Sequence, residues 1–394
     1  GNVNLRKNKG HSNSSESAAK HAEHNIEKIL KAKLHLVDVF DPTSTIGVQV
    51  KDRVAADFCH LKWELHKSAP SQYAMFRELV AGSPCGGERI HIPDIREVAR
   101  LARERDEAEG STTKSMPLKG VVFHESRVGS TLVANSLAAS KPANHRVYSE
   151  SSPPISLLGL CDKMGNDFCT SPKTVSLFQD IVYLMGRTSD LAETSMFFKI
   201  QSAGTKGMSL FRAAFPDVPW IFVYREPVQV MMSHLALPPG MKMTNSNCLR
   251  SYKRPSKNYK KMVAKLGGGR TMKELSYEDH CALHLASICQ PSIDEQLKSQ
   301  TGRMVNYAEL PGALVDDIFP NHFGIPVTEV ERQNIEEVCT HYSKGKSDKK
   351  WNEKGDSEKK EKMASEAVKE ASRVFLAPSY EWLEKENRKF SSGS

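Results

Sequence analysis

The sequence predicts an α/β domain built on a parallel sheet, because short apolar segments are followed by amphipathic ones along the chain. The apolar segments are continuous rather than alternating with polar residues, which is typical of strands covered on both faces. Four such segments carry this prediction: LKGVVFH (118–124), MFFKI (196–200), PWIFVY (219–224) and GRMVNY (302–307). The helix-like stretches that follow them are 130–140, 206–214, 227–237 and 310–319. We therefore expect a three-layer, doubly wound parallel sheet over about 116–342.

The rest of the chain is divided by composition and periodicity. Residues 1–18 are polar and are expected to be disordered. Helical periodicity, which recurs at 50–67 and at 93–109 after Asp94, predicts a helical N-terminal extension over 19–115. The predicted α/β domain then spans 116–390 and includes a basic excursion at 238–273 and a Lys/Glu-rich loop at 343–370.

Charge and apolar content exclude several functional classes. The 394 residues include 55 Lys and Arg against 47 Asp and Glu, a formal net charge of +8 that suits an anionic ligand. The basic residues are too dispersed to predict a stripe that binds nucleic acid. A membrane-spanning helix needs about 18 consecutive apolar residues, and no such run occurs, so we expect no transmembrane segment in this chain.

The eight cysteines are expected to be structural. No CxxC pair occurs, which argues against a four-cysteine zinc site. Cys161 with Cys169, and Cys281 with Cys289, are close enough in sequence to form disulfides in an oxidising compartment. Buried free thiols are the prediction that we favour over these pairs.

An anion-binding turn is predicted within GVVFHESRVGSTLVANSLAAS (120–140). A hydrophobic strand runs into a turn at Arg127 and Gly129, after which Ser130 and Thr131 begin a helix whose free N–H groups face an anion. Glycine permits close approach of the backbone, and the hydroxyls and guanidinium can donate to phosphate oxygens. The turn is not a Walker A loop, because G-x-x-x-x-G-K-[ST] is absent, and an ordinary strand–helix turn is the alternative.

A second cationic turn follows the strand PWIFVY. Arg225 ends that strand, Pro227 begins a helix, and Ser233 lies eight residues after the arginine, about two helical turns further on. Ligands of doubly wound sheets bind at the carboxyl edge, where both turns are expected. Two anion-binding turns on one edge predict a ligand that carries two separated phosphates.

The motifs R-x-G-S-T-L at Arg127 and R-x-P-x(5)-S at Arg225 resemble the phosphate-binding elements of a known family. That family is the sulfotransferases that use 3′-phosphoadenosine 5′-phosphosulfate (PAPS). The segments FFKIQSAG, VNYAELP and YSKGKSDKKW are further, looser similarities. The resemblance covers about 116–385, implies the family's fold, which is similar to that of P-loop NTPases, and does not extend to 1–115.

The resemblance implies a role for each matched residue. The 5′-phosphosulfate would be held by Arg127, Gly129, Ser130 and Thr131, the 3′-phosphate by Arg225 and Ser233, and Lys344 or Lys346 would close over the nucleotide.

The resemblance also implies a carboxylate as general base. Cytosolic members carry a K-T-H strand whose histidine is the base, whereas this chain has Lys199, Ile200 and Gln201 there. Glu150, after the first helix, stands where other members carry a carboxylate base. Glu150 would take the acceptor proton, while Arg127 and Lys199 would stabilise charge on the bridging oxygen. A solvated carboxylate and an edge salt bridge are the structural alternatives for Glu150 and Lys199.

These features predict direct, in-line transfer of a sulfuryl group from PAPS to an acceptor hydroxyl. The acceptor is expected to be an anionic glycan, which the basic segment 238–273 would suit, or a small molecule. Alternatives are a catalytically silent nucleotide-binding or scaffold member of the same fold, and a kinase-like phosphotransferase, against which the missing Walker A lysine argues. The resemblance to carboxylate-base members favours the Golgi lumen as the compartment, with the cytoplasm or an organelle as alternatives. A chain that begins at Gly1 is consistent with a removed anchor.

No metal is expected in this chemistry. His280 and His284 are four residues apart on a predicted helix, but no third ligand accompanies them, so both are expected to be structural. His124, beside the first turn, is expected either to contact the ligand or to pack at the strand end.

Overall fold

The structure is a computed structural model that describes residues 23–43, 49–237, 240–299, 301–340 and 353–391. Its strands, numbered along the chain, are β1 His35–Phe40, β2 Ala55–Cys59, β3 Ile90–Ile92, β4 Lys114–Ser115, β5 Leu118–His124, β6 His145–Ser149, β7 Arg187–Thr188, β8 Ser195–Lys199, β9 Trp220–Tyr224 and β10 Gly302–Asn306. Its helices begin with α1 (23–30), α2 Trp63–Ser68, α3 Phe76–Gly82, α4 Ile95–Glu107, α5 Ser130–Ser140, α6 Ser152–Met164, α7 Asn166–Cys169, α8 Pro172–Gly186 and α9 Met208–Ala214. They continue with α10 Pro227–Leu235, α11 Arg250–Lys253, α12 Lys257–Leu266, α13 Tyr277–Ser299, α14 Glu329–Cys339, α15 Glu353–Met363, α16 Glu366–Ala371 and α17 Ala377–Ser391. The tail predicted at 1–18 lies outside the described residues.

The four apolar segments predicted as strands form one parallel sheet, which has five strands in the order β10–β9–β5–β8–β6. Val122 of β5 lies opposite Lys199 of β8 on one side and Ile221 of β9 on the other. All of β9 is buried, which explains its uninterrupted apolar sequence. The prediction of an α/β fold with a parallel sheet is therefore confirmed. The sequence does not predict β6 because it contains Arg146, whose burial depends on an ion pair with Glu193, a distant residue.

The strand order places a topological switch point at β5. From β5 the chain goes to the edge strand β6, returns to β8, and then crosses to β9 and β10 on the other side of β5. In open α/β sheets, ligands bind at such a point, outside the carboxyl ends of the strands. The ends of β8, β5 and β9 therefore mark the edge at which a ligand site is expected.

The N-terminal region is not wholly helical, contrary to the prediction. β1, β2 and β3 form an antiparallel sheet. The stretch 50–67, predicted to be helical, is a helix only from Trp63, where α2 begins. Before α2 it contains β2, in which Ala56 and Phe58 are buried while Ala55 and Asp57 are partly exposed. That alternation has a period of two, the period of a strand. The helix expected after Asp94 is α4, and the Asp94 side chain accepts a hydrogen bond from the backbone N–H of Arg96.

The basic segment 238–273 is more ordered than its composition predicts. It contains α11 and α12, and α12 buries Tyr259, Met262 and Val263 while Lys261 and Lys265 are exposed. The Lys/Glu-rich segment likewise contains α15 and α16 from Glu353 onward, where a loop is predicted.

Six of the eight cysteines form disulfides, so the preference for free thiols is wrong for them. The pairs are Cys59–Cys85, Cys161–Cys169 and Cys248–Cys281; Cys289 and Cys339 are unpaired within the described chain. Cys161–Cys169 was one of the two candidate pairs. The other, Cys281–Cys289, does not form because both residues lie on α13. Eight residues of helix separate two Cα atoms by about 12 Å along the axis, about twice the span of a disulfide.

The two spaced histidines of α13 bond to protein groups. His280 contacts the Tyr259 hydroxyl at 2.7 Å and the Met272 carbonyl at 2.9 Å, and His284 contacts the Ser251 hydroxyl at 2.7 Å. Across the described ranges, none of the helices is long and apolar enough to cross a membrane.

Candidate functional site

The turn between β5 and α5, at the carboxyl end of β5, has an unusual backbone conformation. Ser126, Arg127 and Gly129 all have positive φ, at 129°, 57° and 77°. A Cβ on Gly129 would lie 2.7 Å from a ring carbon of Tyr307, so glycine is required both by conformation and by packing. Positive φ at two non-glycine residues stores strain, which is a frequent property of ligand-binding turns. The Leu132 and Val133 N–H groups donate to the Gly129 carbonyl, whereas the N–H groups before them at the start of α5 have no partner within the helix and can bind an anion.

The hydroxyls at the start of α5 are buried. Ser130 and Thr131 are nearly inaccessible, and Thr131 Oγ1 has no hydrogen-bond partner among the residues that the structure describes. An unsatisfied buried hydroxyl is costly, so a ligand oxygen or a water would stabilise this position. Asn135, one helical turn further on, is also buried without a side-chain partner in the described chain, and no sequence motif pointed to it.

Arg225 lies directly after β9, as predicted, and is only 3% exposed. Its guanidinium lies 4.1 Å from the centroid of the Tyr307 ring, the ring that also packs against Gly129. Its Nε donates to Gln229 Oε1 at 2.9 Å. Tyr307 therefore lies between the two cationic turns and connects them.

The helix α15 completes the surroundings of Arg225. The guanidinium donates to Asp356 Oδ2 at 3.2 Å and to Ser357 Oγ at 2.9 Å. Asp356 also pairs with Lys360 of the same helix. Burial has the largest effect on the pKa of Lys360 and lowers it. The charges of Arg225 and Arg127 lower this pKa further, whereas Asp356 raises it through its hydrogen bond and its charge. Three cations therefore lie within electrostatic reach of one another at this edge.

Ser233 does not share a contact with Arg225 in the described chain. Its hydroxyl donates to the Gln229 carbonyl of its own helix at 2.8 Å. Gln229, which belongs to no recognised motif, instead links Arg225 to Glu361 of α15, to which it donates at 2.6 Å. The predicted residues Lys344 and Lys346 lie outside the described residues.

A second cluster lies at the ends of β6 and β8. Glu150 follows β6 with φ of 55°, and its N–H donates to the Lys199 carbonyl at 2.8 Å. Lys199 Nζ donates to Glu150 Oε1, while Arg77 of α3 lies 3.9 Å from the other carboxylate oxygen. The structure thus brings together two of the predicted catalytic residues, and it adds Arg77 from a region that the sequence did not connect with the site.

Burial shapes the electrostatics of this cluster. The Lys199 side chain is fully buried, and this burial lowers the pKa of Lys199 even though the Glu150 charge opposes the shift. Arg77 is largely exposed, so the carboxylate lies between an enclosed cation and a solvated one.

The first turn also contains a buried acid, Glu125, that was not predicted from the sequence. Burial, with a contribution from the charge of Glu226, raises the pKa of Glu125 to about 8, while the Arg225 N–H opposes the shift. That N–H lies 3.4 Å from Glu125 Oε2. His124 is buried at the strand end, and its carbonyl accepts from Thr205 Oγ1 at 3.4 Å.

The predicted residues follow four neighbouring strands at one edge of the sheet. Glu150 follows β6, Lys199 ends β8, Arg127 follows β5 and Arg225 follows β9. Neighbouring strands are about 4.8 Å apart, so Glu150 lies about two strand spacings from the first turn and Lys199 about one. The arrangement offers cations for an extended anionic ligand beside a carboxylate that can accept a proton.

Comparisons with known proteins find similarity only among solved structures. The sequence matches no family model and no curated protein. Among solved structures, the chain is similar to a sulfotransferase domain from the curacin biosynthetic pathway, with a TM-score of 0.34 and 14% sequence identity. The match covers 66% of this chain and 98% of that domain.

Proposed function

We propose that this protein is a PAPS-dependent sulfotransferase with a three-layer, P-loop-like core. The observation that carries the proposal is the pair of cationic turns on the adjacent strands β5 and β9, joined through Tyr307. Two such turns at a topological switch point suit a nucleotide with two separated phosphates. Their motifs are those that resemble the family.

The residues present fit this nucleotide. The Gly129 turn and the unsatisfied hydroxyl of Thr131 would hold the 5′-phosphosulfate, with Ser130 and Arg127. Arg225 would hold the 3′-phosphate, and Ser233 would do so only if its hydroxyl left the helix carbonyl. Bound PAPS would supply the sulfuryl group, which leaves the 5′-phosphate oxygen and bonds to the acceptor oxygen.

Glu150 would accept the proton of the acceptor hydroxyl. Its ion pair with Lys199 holds the carboxylate at the strand edge, and the buried ammonium can stabilise negative charge that develops nearby. Arg127, exposed in the first turn, would neutralise charge on the oxygen released from sulfur. These roles need no metal ion.

An anionic acceptor is supported by a lysine-rich cavity of about 550 Å³ beside α12. Its charged lining consists of four lysines, Lys206, Lys261, Lys265 and Lys298, and three acids, Asp162, Asp294 and Glu295. Lys206 pairs with Asp162 and Lys298 with Glu295, whereas Lys261 and Lys265 have no ion-pair partner in the described part of the chain. We propose that part of an anionic glycan, or an anionic small molecule, binds there.

We propose an oxidising compartment, with the Golgi lumen favoured. The disulfides support this, because such bonds persist in secretory compartments and are rare in the cytosol.

The test is a thermal-shift titration with 3′-phosphoadenosine 5′-phosphate (PAP), ADP and ATP, followed by transfer of labelled sulfate onto glycans, phenols, steroids and tyrosine peptides. We expect selective stabilisation by PAP and labelling of one acceptor class. Stabilisation by PAP without labelling of any acceptor would favour a catalytically silent binding member. Preference for ATP over PAP would contradict the proposal in favour of a phosphotransferase.

A further inference from the structure

An acidic side chain occupies the centre of the proposed 3′-phosphate site. Asp356 accepts from the Arg225 guanidinium at 3.2 Å and also binds Lys360, one helical turn along α15. Arg225 is 3% exposed, so few groups can reach its guanidinium. A carboxylate held by two cations makes the same kind of charge-assisted hydrogen bonds that a phosphate would make.

Among the described residues, the helix that carries Asp356 contacts the site through polar groups. Beside the Arg225 bonds, α15 accepts one from Gln229, and that same side chain binds Arg225. The exposed side of α15 is lined by charged residues, among them Glu358 and Lys359. Little apolar surface therefore attaches α15. A phosphate on the Arg225 guanidinium would compete with both α15 groups that bind it, Asp356 and Ser357, and would leave only the Gln229 bond among those described.

We infer that Asp356 is an internal anion which fills the phosphate site of the ligand-free protein, and that a ligand phosphate displaces it. Lys360 then turns from Asp356 to the ligand. The inference rests on the proposed function for the identity of the nucleotide, whereas competition between Asp356 and an external anion applies to any phosphate.

The opposite role for Asp356 makes opposite predictions. If Asp356 merely oriented Arg225 for the ligand, neutralising Asp356 would weaken phosphate binding. If Asp356 competes with the ligand, the same change removes the competitor and raises the local positive charge, so binding tightens.

The experiment measures dissociation constants for PAP and for inorganic phosphate by calorimetry. Asp356→Asn should bind both ligands about tenfold more tightly, and Lys360→Ala about tenfold more weakly, as expected for one charge-assisted contact. Glu358→Gln and Lys359→Ala are matched controls, because both residues are exposed on α15 and have no charged partner within the described ranges. Both controls should stay within about twofold of the unaltered protein.

The outcomes separate the two proposals. If Asp356→Asn tightens phosphate binding but no variant prefers PAP to ADP, the result supports Asp356 as an internal anion and contradicts the sulfotransferase proposal. If the unaltered protein prefers PAP, but Asp356→Asn binds phosphate no more tightly than the Glu358→Gln control, only the internal-anion inference is contradicted. Absence of binding to either ligand in every variant would overturn both. As a second readout, amide hydrogen exchange in α15 should rise when PAP binds, and unchanged exchange would count against displacement.

Discussion

At the scale of single residues, Glu150 combines two roles that a mutation must separate. It is the proposed base, and it is also the partner of the buried Lys199 ammonium. The Glu150 carboxylate, predicted from sequence as a base, thus also stabilises the fold, because the buried Lys199 cation would be unfavourable without a partner.

We expect Glu150→Gln to lower kcat by about 10²–10⁴-fold, because a general base contributes about that factor. PAP affinity should stay near that of the unaltered protein, because the base contacts the acceptor. The free energy of unfolding should fall by up to about 3–5 kcal/mol, since Lys199 loses its partner. Initial rates and PAP calorimetry below the unfolding midpoint check this, with Glu150→Gln/Lys199→Met as a control that removes both charges. Near-normal turnover would exclude Glu150 and shift attention to His124 or Lys199.

Arg225→Ala should weaken PAP binding by about 1.5–3 kcal/mol, or about ten- to a hundredfold, because one charge-assisted contact is lost. The residue is buried, so circular dichroism should first confirm that the variant folds. Arg250→Ala, on the exposed side of α11, is a control that should leave PAP affinity unchanged. An unchanged dissociation constant for Arg225→Ala would remove this arginine from the site.

Glu125 should make stability depend on pH. Its pKa is raised to about 8 by burial, so between its ordinary pKa of about 4.5 and 8 the folded chain binds a proton that the unfolded chain releases. The contribution of Glu125 to the free energy of unfolding is therefore at its maximum below about pH 4.5 and is lost as the pH rises through 8. Glu125→Gln should show a smaller fall in melting temperature between pH 5 and pH 8.5. Equal falls in both proteins would show that Glu125 is not protonated in the fold.

At the scale of elements, the strand–turn–helix unit after β5 is predictable because its signals are local. Gly129 and the two hydroxyls lie within a few residues of an apolar strand, and each has a conformational reason to be there. Asp356 and Lys360 could not be predicted from sequence. They lie more than 100 residues beyond Arg225 in a charged segment, and tertiary packing of α15 alone brings them to the site.

The first turn should separate binding from catalysis. Thr131→Ala should mainly weaken PAP affinity, because its hydroxyl is buried beside the helix start. Arg127→Ala should reduce kcat more than it raises KM, if its charge acts on the transition state rather than on the ground state. Steady-state kinetics with varied PAPS checks both. Equal effects confined to KM would make Arg127 a binding residue only.

At the scale of the whole molecule, one apolar core joins the N-terminal region to the parallel sheet. Leu36 of β1 and Phe197 of β8 belong to the same buried cluster. This packing explains how Arg77 reaches the site from the N-terminal region, which has no resemblance to the sulfotransferase family. It also explains why helical periodicity alone did not predict the strands of that region. Strands of short, alternating pattern are easily missed between helices, because their pairing partners are distant in sequence.

The disulfides should stabilise the molecule unequally, according to the loops they close. Cys248–Cys281 joins residues 33 apart, and Cys161–Cys169 joins residues only 8 apart. In the chain-entropy model, the longer loop restricts the unfolded chain more, by a difference of about 1 kcal/mol. Replacing Cys248 and Cys281 together by serine should therefore lower the free energy of unfolding further than replacing Cys161 and Cys169.

Urea unfolding of the two double variants checks this, with Cys339→Ser, which breaks no disulfide, as control. Non-reducing peptide mapping of the unaltered protein should find both linkages, and free thiols at these positions would contradict both the ranking and the oxidising compartment.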